Sequence, residues 1–193
     1  MIKLMTKKYI ILGPPGSGKG TQAKRLAKEK NLFYFGTGDL MRQEAETGTA
    51  MGLVFRKVWE RGQGELIADE LVQRFVGEKL EATDLSQGLV LDGYPRTMEQ
   101  AEYLEEIFKK KKIDNLLVIN LVVSTESLIK RMLKRRVDEN RVEDRPEVLR
   151  KRIEVYQKQT APLIEYYQKK GLLINIDGEP TIEEVWEEIK KVL

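Results

Sequence analysis

The sequence predicts an α/β protein: a doubly wound sheet of five parallel strands with helices on both faces. Three observations predict it. Short apolar runs alternate with longer amphipathic stretches along all 193 residues. The runs are brief and flanked by glycine or charge, as strands covered on both faces are. A glycine-rich loop joins the first run to the first amphipathic stretch.

The strand candidates are residues 9–12, 32–35, 89–91, 116–123 and 172–176. Helical patterns lie between them. The first, 19–30, opens directly after the glycine loop. The second, 66–82, carries Leu66, Ile67, Leu71, Phe75 and Leu80 near helical spacing. A third, 97–112, follows a Pro-Arg turn. A fourth, 124–136, opens with Ser124-Thr125-Glu126-Ser127, an N-cap region. The stretch 146–170 reads as one long helix, but its internal Pro162 predicts a kink or break near Ala161. The last, 180–193, has Thr181-Ile182-Glu183-Glu184 near its start.

Two segments depart from the alternation. Residues 36–67 insert extra helix between the second and third strands, with glycines at 36, 38, 48, 52, 62 and 64. Residues 134–144 are dense in charge and nearly free of apolar side chains. In a small α/β protein such segments are candidates for mobile pieces over a site.

Composition narrows the chemistry. Charged residues make up 34% and the apolar set 41%, and 34 basic residues nearly cancel 31 acidic ones to leave a net charge of +3. Bulk charge therefore does not suggest a nucleic-acid partner. Without cysteine there are no disulfides, thiolate metal sites or cysteine nucleophiles. Without histidine the commonest general base is missing. The apolar run after the basic start covers only residues 9–12, too short for a secretory signal or for the ~20-residue span of a membrane helix. A cytoplasmic protein with no membrane partner is the expectation. The Lys- and Glu-rich charged set fits heat adaptation, and a lineage with biased composition equally well.

Gly13-Pro14-Pro15-Gly16-Ser17-Gly18-Lys19-Gly20-Thr21 is a phosphate-binding loop. Glycines at 13, 16 and 18 let the backbone turn tightly and aim its N–H groups at anionic oxygens. The following helix adds its N-terminal dipole, and Lys19 can reach β- and γ-phosphates. By chance, G-x-x-x-x-G-K has odds of roughly 3 in 10,000 per position. The flanking strand and helix lower the odds further. Gly20 occupies the place where Ser or Thr usually ligates Mg²⁺, which weakens a simple GTPase or motor ATPase reading.

Two more motifs lie at the carboxyl ends of strands, where ligands bind in open α/β sheets. Gly36-Thr37-Gly38-Asp39-Leu40-Met41-Arg42 ends the second strand, and Asp92-Gly93-Tyr94-Pro95-Arg96-Thr97 ends the third, with Gln100 close behind. Each motif presents an arginine. Taken by spacing alone, Arg131 and Arg135 read as a solvated helix face, Asp92 as a strand cap, and Asp69-Glu70 as an acidic helix start that is not assigned to the site. Trp59 and Trp186 read as packing residues.

Together these motifs, with Gly64-Glu65-Leu66-Ile67-x-Asp69-Glu70 and Thr160-Ala161-Pro162-Leu163-Ile164, resemble the adenylate kinase family over essentially the whole chain. The resemblance implies transfer of a phosphoryl group from Mg·ATP to AMP, giving two ADP. It implies a core of 1–35, 68–133 and 145–193, an AMP-binding insertion of 36–67 and a short lid of 134–144. AMP brings its own anionic nucleophile, so a chain without histidine suffices; positive charge and alignment are what the reaction needs.

By resemblance, the whole loop from Gly13 to Thr21 binds ATP. Arg42 and Arg96 take the AMP phosphate. Arg131, Arg135, Arg141 and Arg152 match arginines around the ATP phosphates and the transferred group, with Arg141 and Arg152 also meeting AMP. Thr37, Glu65, Leu66, Ile67, Gly93, Tyr94, Pro95 and Gln100 complete the AMP site, Gln100 through its amide on the adenine edge. Thr37 and Gln100 favour AMP over pyrimidine monophosphates. The loop around Glu179 meets the ATP adenine, and Asp92 orders water on Mg²⁺. Glu143 stands where the family commonly has Asp, followed here by Asp144. With no cysteine, the zinc that some members hold in a longer lid has no thiolate ligands, so none is expected. A monomer acting on free ATP, AMP and ADP is the implied form. The alternatives are a UMP/CMP kinase, or a nucleotide-binding regulatory protein without turnover.

Overall fold

The computed structural model describes residues 7–61, 67–111, 115–138 and 146–193, apart from the side chains of residues 135, 136 and 138. Five strands, β1 (Lys8–Leu12), β2 (Phe33–Gly36), β3 (Leu89–Asp92), β4 (Leu116–Val122) and β5 (Leu173–Asp177), form one sheet in the order β2-β3-β1-β4-β5. Every pairing is parallel, with Tyr9 beside both Val90 and Leu117. All carboxyl ends therefore open on one edge. From β1 the chain goes to the edge strand β2, returns to β3 beside β1, and then crosses to β4 and β5 on the other side, so crevices form beside β1 at that edge.

Alternation along the strands divides the core in two. Ile10, Leu12, Phe35, Leu89, Leu91 and Val118 face α4 (Asp69–Ala82), α5 (Met98–Lys110) and α8 (Pro162–Lys169). Tyr9, Ile11, Val90, Ile119, Leu121 and Ile176 face α1 (Lys19–Lys30) and α9 (Ile182–Lys190). Trp186 is buried on this second face, with the Arg25 guanidinium 5.2 Å from its ring. A smaller cluster of Leu128, Met132, Leu149 and Ile153 joins α6 (Thr125–Asp138) to α7 (Pro146–Val155). No described helix is long and apolar enough to cross a membrane.

The extra helices of the insertion are α2 (Thr37–Glu46) and α3 (Ala50–Arg61). They approach closely at Gly52, where a Cβ would stand 2.1 Å from the Glu44 carbonyl oxygen. The helix expected from residue 66 begins instead at Asp69, because Ala68 is extended (φ −51°, ψ 134°). The helix expected from 180 begins at Ile182, behind a capping box between Thr181 and Glu184.

The expected single helix 146–170 is divided. After α7 the backbone makes a π-helical turn, Tyr156–Thr160, before α8 starts at Pro162. The Ala161 N–H reaches back to the Tyr156 carbonyl at 2.8 Å. Pro162 has no N–H to continue the ladder, so the wider turn ends where the proline begins.

Candidate active site

The carboxyl edge of the sheet holds a cleft of about 840 Å³, within the range of small-molecule sites. Its floor is the loop after β1. Gly13, Gly16 and Gly18 take φ of 148°, 86° and 87°, backbone angles that glycine adopts without strain. Gly18 caps α1 from the left-handed region. The loop is braced from inside: the Pro14 carbonyl accepts from the Ser17 N–H at 3.1 Å and from Lys19 Nζ at 3.4 Å. Pro14 is buried and holds the loop's shape, while Gly13 and the residues from Pro15 to Thr21 form the cleft wall.

Gly20 has a steric explanation. A Cβ there would lie 3.0 Å from Asp92 Oδ2. The residue after Lys19 faces a carboxylate from β3, so a bare backbone leaves that carboxylate room. Asp92 Oδ2 accepts from the Tyr34 hydroxyl at 3.0 Å. Asp92 Oδ1 is buried without a hydrogen-bond partner among the described residues. A buried carboxylate oxygen of this kind suits a hydrated cation beside the phosphates.

Beyond Asp92, Gly93 turns at φ 78° and a cis bond joins Tyr94 to Pro95. Arg96 Nε then donates to the Gly93 carbonyl at 2.9 Å. Burial pulls the Arg96 pKa down, the Asp92 charge pushes it up, and the Arg152 and Arg42 charges pull it down again. A guanidinium keeps its proton regardless. These influences record three arginines gathered around one space, which suits a ligand with several negative charges. Thr160, in the π-helical turn, donates to the Arg96 carbonyl at 2.8 Å and ties α7 and its arginine to this loop.

On the β2 side, Thr37 is buried at the start of α2, and its Oγ1 has no hydrogen-bond partner among the described residues. Arg42 Nη2 pairs with Asp39 Oδ1 at 2.5 Å, and Lys24 Nζ lies 3.1 Å from Asp39 Oδ2. Burial raises the Asp39 pKa, but the hydrogen bonds from Arg42 and Lys24 carry it below the usual value. Gln100 is buried on the wall, its Oε1 accepting from the Arg96 N–H at 2.7 Å.

On the β5 side, Arg131 donates from Nη1 to the Gly178 carbonyl at 2.8 Å and from Nη2 to the Glu179 carbonyl at 2.9 Å. Its guanidinium therefore lies beside the loop after β5. Glu179 Oε1 accepts from the Ser124 N–H at 2.6 Å and fastens that loop to the end of β4.

The cleft thus brings together the phosphate loop, Thr37, Arg42, Ile67, Asp92, the turn from Gly93 to Arg96, Gln100, Arg131 and Arg152. Glu65, Leu66 and Arg141 lie outside the described residues, as does the side chain of Arg135. Of the charged segment 134–144, Lys134 lines the cleft. Sequence reasoning missed Tyr34 and Lys24, and it left Asp69 unassigned; all three are defined by partners far along the chain. Thr160 and Asp39 stood inside quoted motifs without a role. Trp59 packs on the core and also lines the cleft.

A family model described as adenylate kinase matches residues 11–172. The chain is 39% identical to an adenylate kinase of Caldanaerobacter subterraneus subsp. tengcongensis, with 96% of each chain covered. It is 40% identical to one of Archaeoglobus fulgidus, covering 95% of this chain and 96% of the relative. It is 42% identical to one of Synechococcus, covering 98% of this chain and 100% of the relative.

Proposed function

From the premise that this chain belongs to the adenylate kinase family, we propose that its glycine loop holds ATP while Arg42, Arg96 and Gln100 hold AMP. The chain is an enzyme, a phosphotransferase acting between ATP and AMP. The observation that carries the residue assignment is the gathering of Arg42, Arg96 and Arg152 around one space beside the loop. A protein that only bound ATP would have no use for this second anion site.

An oxygen of the AMP phosphate attacks the γ-phosphorus. The bond from that phosphorus to the bridging oxygen breaks, and its electrons leave with ADP. No proton need be removed from an ionised phosphate, which suits a cleft built without histidine. Lys19 meets the donor phosphates; Arg96 and Arg152 meet the charge on the group in flight; Arg42 and Arg96 hold the acceptor. Arg135 and Arg141 are proposed to complete the cationic set on closure. Such fixed charge, placed before the reaction, accounts for most of the acceleration expected of the site.

Asp92, with its unpartnered buried oxygen, would hold Mg²⁺ through water. Bound there with ATP, the ion would neutralise charge on the β- and γ-phosphates. Arg131, set on the carbonyls of Gly178 and Glu179, is proposed to lie on the base side of ATP.

Residues 36–67 are proposed as the AMP-binding insertion, 134–144 as a short lid and the remainder as core. The alignment with the Caldanaerobacter relative runs over 213 positions against 193 residues here, so that relative has segments this chain lacks. The short form of the lid is proposed from the charged segment 134–144 itself. A monomer is proposed as the acting form, as the family resemblance implies.

The test is turnover of Mg·ATP with AMP, CMP and UMP in turn. AMP should be consumed fastest, with two ADP formed for each AMP. Faster turnover with CMP would overturn the acceptor assignment. ATP binding without any ADP formation from AMP would favour a regulatory protein.

A further inference from the structure

Asp69 is the first residue of α4, and its carboxylate is bound twice by the start of α5. Thr97 Oγ1 donates to Oδ2 at 2.6 Å, and Gln100 Nε2 donates to Oδ1 at 2.6 Å. The other end of the same amide, Gln100 Oε1, accepts from the Arg96 N–H at 2.7 Å. Thr97 Oγ1 in turn accepts from the Gln100 backbone N–H at 3.3 Å. A primary amide offers two N–H donors and two lone pairs on oxygen. One of each is used, so one N–H and one lone pair remain.

The two partners are not interchangeable. A carboxylate accepts and a backbone N–H donates. A flipped amide would turn Oε1 onto the Asp69 carboxylate and Nε2 onto the Arg96 N–H, two like-with-like contacts in a buried place. The amide is therefore held in one orientation, and its free donor and acceptor stand in a set order.

We propose that Asp69 is a positioning residue for purine selection: by holding the Gln100 amide in one orientation, it makes the acceptor site prefer a 6-amino purine monophosphate over a 6-oxo one. The inference rests on the reading of Gln100 as the group that meets the AMP base. A 6-amino purine presents an N–H donor beside a ring-nitrogen acceptor. A 6-oxo purine presents the reverse order, an oxygen acceptor beside a ring N–H, and would need the flipped amide. Where site and ligand disagree in this way, buried polar groups are left unpaired, and discrimination is large.

The experiment is kcat/KM for AMP and for inosine monophosphate, at saturating Mg·ATP, in wild type, Asp69→Asn and Gln100→Ala. An Asn side chain can turn either its oxygen or its NH₂ towards Gln100, which leaves the lock to the Arg96 N–H alone with little change of shape. Asp69→Asn should lower the AMP-to-IMP ratio by about tenfold or more, the loss of one charge-assisted hydrogen bond, with KM for ATP unchanged. Thr97→Val, which frees the second carboxylate oxygen and the Gln100 backbone N–H but keeps the bond between Asp69 and the Gln100 amide, should move the ratio less and in the same direction. An equal loss on both nucleotides would mark Asp69 as structural and overturn the proposal. If Gln100→Ala keeps the wild-type preference, the base reading itself fails. If Gln100→Ala loses it while Asp69→Asn keeps it, only the lock fails. The wild-type enzyme gives a further measurement should a variant not fold. The Gln100 side-chain N–H bonded to Asp69 should exchange slowly with water by NMR, and exchange as fast as that of an exposed glutamine would overturn the proposal.

Discussion

The Tyr34 hydroxyl, on β2, donates to the Asp92 carboxylate at the end of β3 at 3.0 Å, and lies 3.4 Å from Asp39. Burial, then the charges of Asp92 and Asp39, raise the Tyr34 pKa, so the phenol keeps its proton and remains a donor. Gly36 makes room for it: a Cβ there would stand 2.5 Å from the hydroxyl oxygen. One phenol thus stands between the carboxylate proposed for Mg²⁺ and the carboxylate that holds Arg42. Tyr34→Phe keeps the ring beneath Lys24 and removes only this link. Turnover should fall about tenfold, as for a lost hydrogen bond to a charged group. The Mg²⁺ concentration needed for half-maximal rate should rise. A magnesium titration checks this, and an unchanged midpoint would separate the phenol from the work of Asp92.

Arg96 is expected to act through charge at the transition state. Arg96→Ala should cost roughly 3–4 kcal/mol of transition-state stabilisation, by analogy with a lost oxyanion donor, or two to three orders of magnitude in kcat. Its burial near Arg42 and Arg152 opposes its own charge. The variant should therefore melt no lower than wild type. Steady-state kinetics beside calorimetry read both effects; near-normal turnover would remove Arg96 from the chemistry.

Gly52 matters for packing between α2 and α3. A Cβ would stand 2.1 Å from the Glu44 carbonyl oxygen, a backbone atom that cannot swing aside. Gly52→Ala should part the two helices at a cost of about 1–3 kcal/mol. Because α2 carries Thr37 and Arg42, KM for AMP should rise while KM for ATP stays near its wild-type value. A parallel rise in both would show that the strain spreads through the core instead.

Glu179 gives an acid-side dependence. Hydrogen bonds from the Ser127 side chain, the Ser124 backbone and the Ser124 side chain lower its pKa from 4.5 to about 2. A depressed carboxylate stabilises the fold at pH values above its unfolded pKa, and the effect fades as pH falls towards the folded one. The anchoring of the loop after β5 should thus weaken between pH 4.5 and about 2. Denaturation of wild type and Glu179→Gln across that range checks it. The stability gap between them should narrow with acid, and a gap that is constant with pH would refute the linkage.

Local physics made much of this protein legible in its sequence. Left-handed glycines at 13, 16 and 18 were readable because a tight anion-binding turn has few other solutions. Strand alternation and helical spacing located the elements, and Pro162 marked the break in the long helix, since a missing N–H acts within one turn. The motif arginines were readable as cations. Their partners were not. The strand order, the Tyr34–Asp92 and Asp69–Gln100 hydrogen bonds, Thr160 on Arg96 and Arg131 on the loop after β5 depend on the chain's path. The bonds join residues 31 to 64 positions apart. No periodicity spans such distances. Only the packing of both core layers against the sheet brings those side chains to one edge, where burial favours the hydrogen bonds between them.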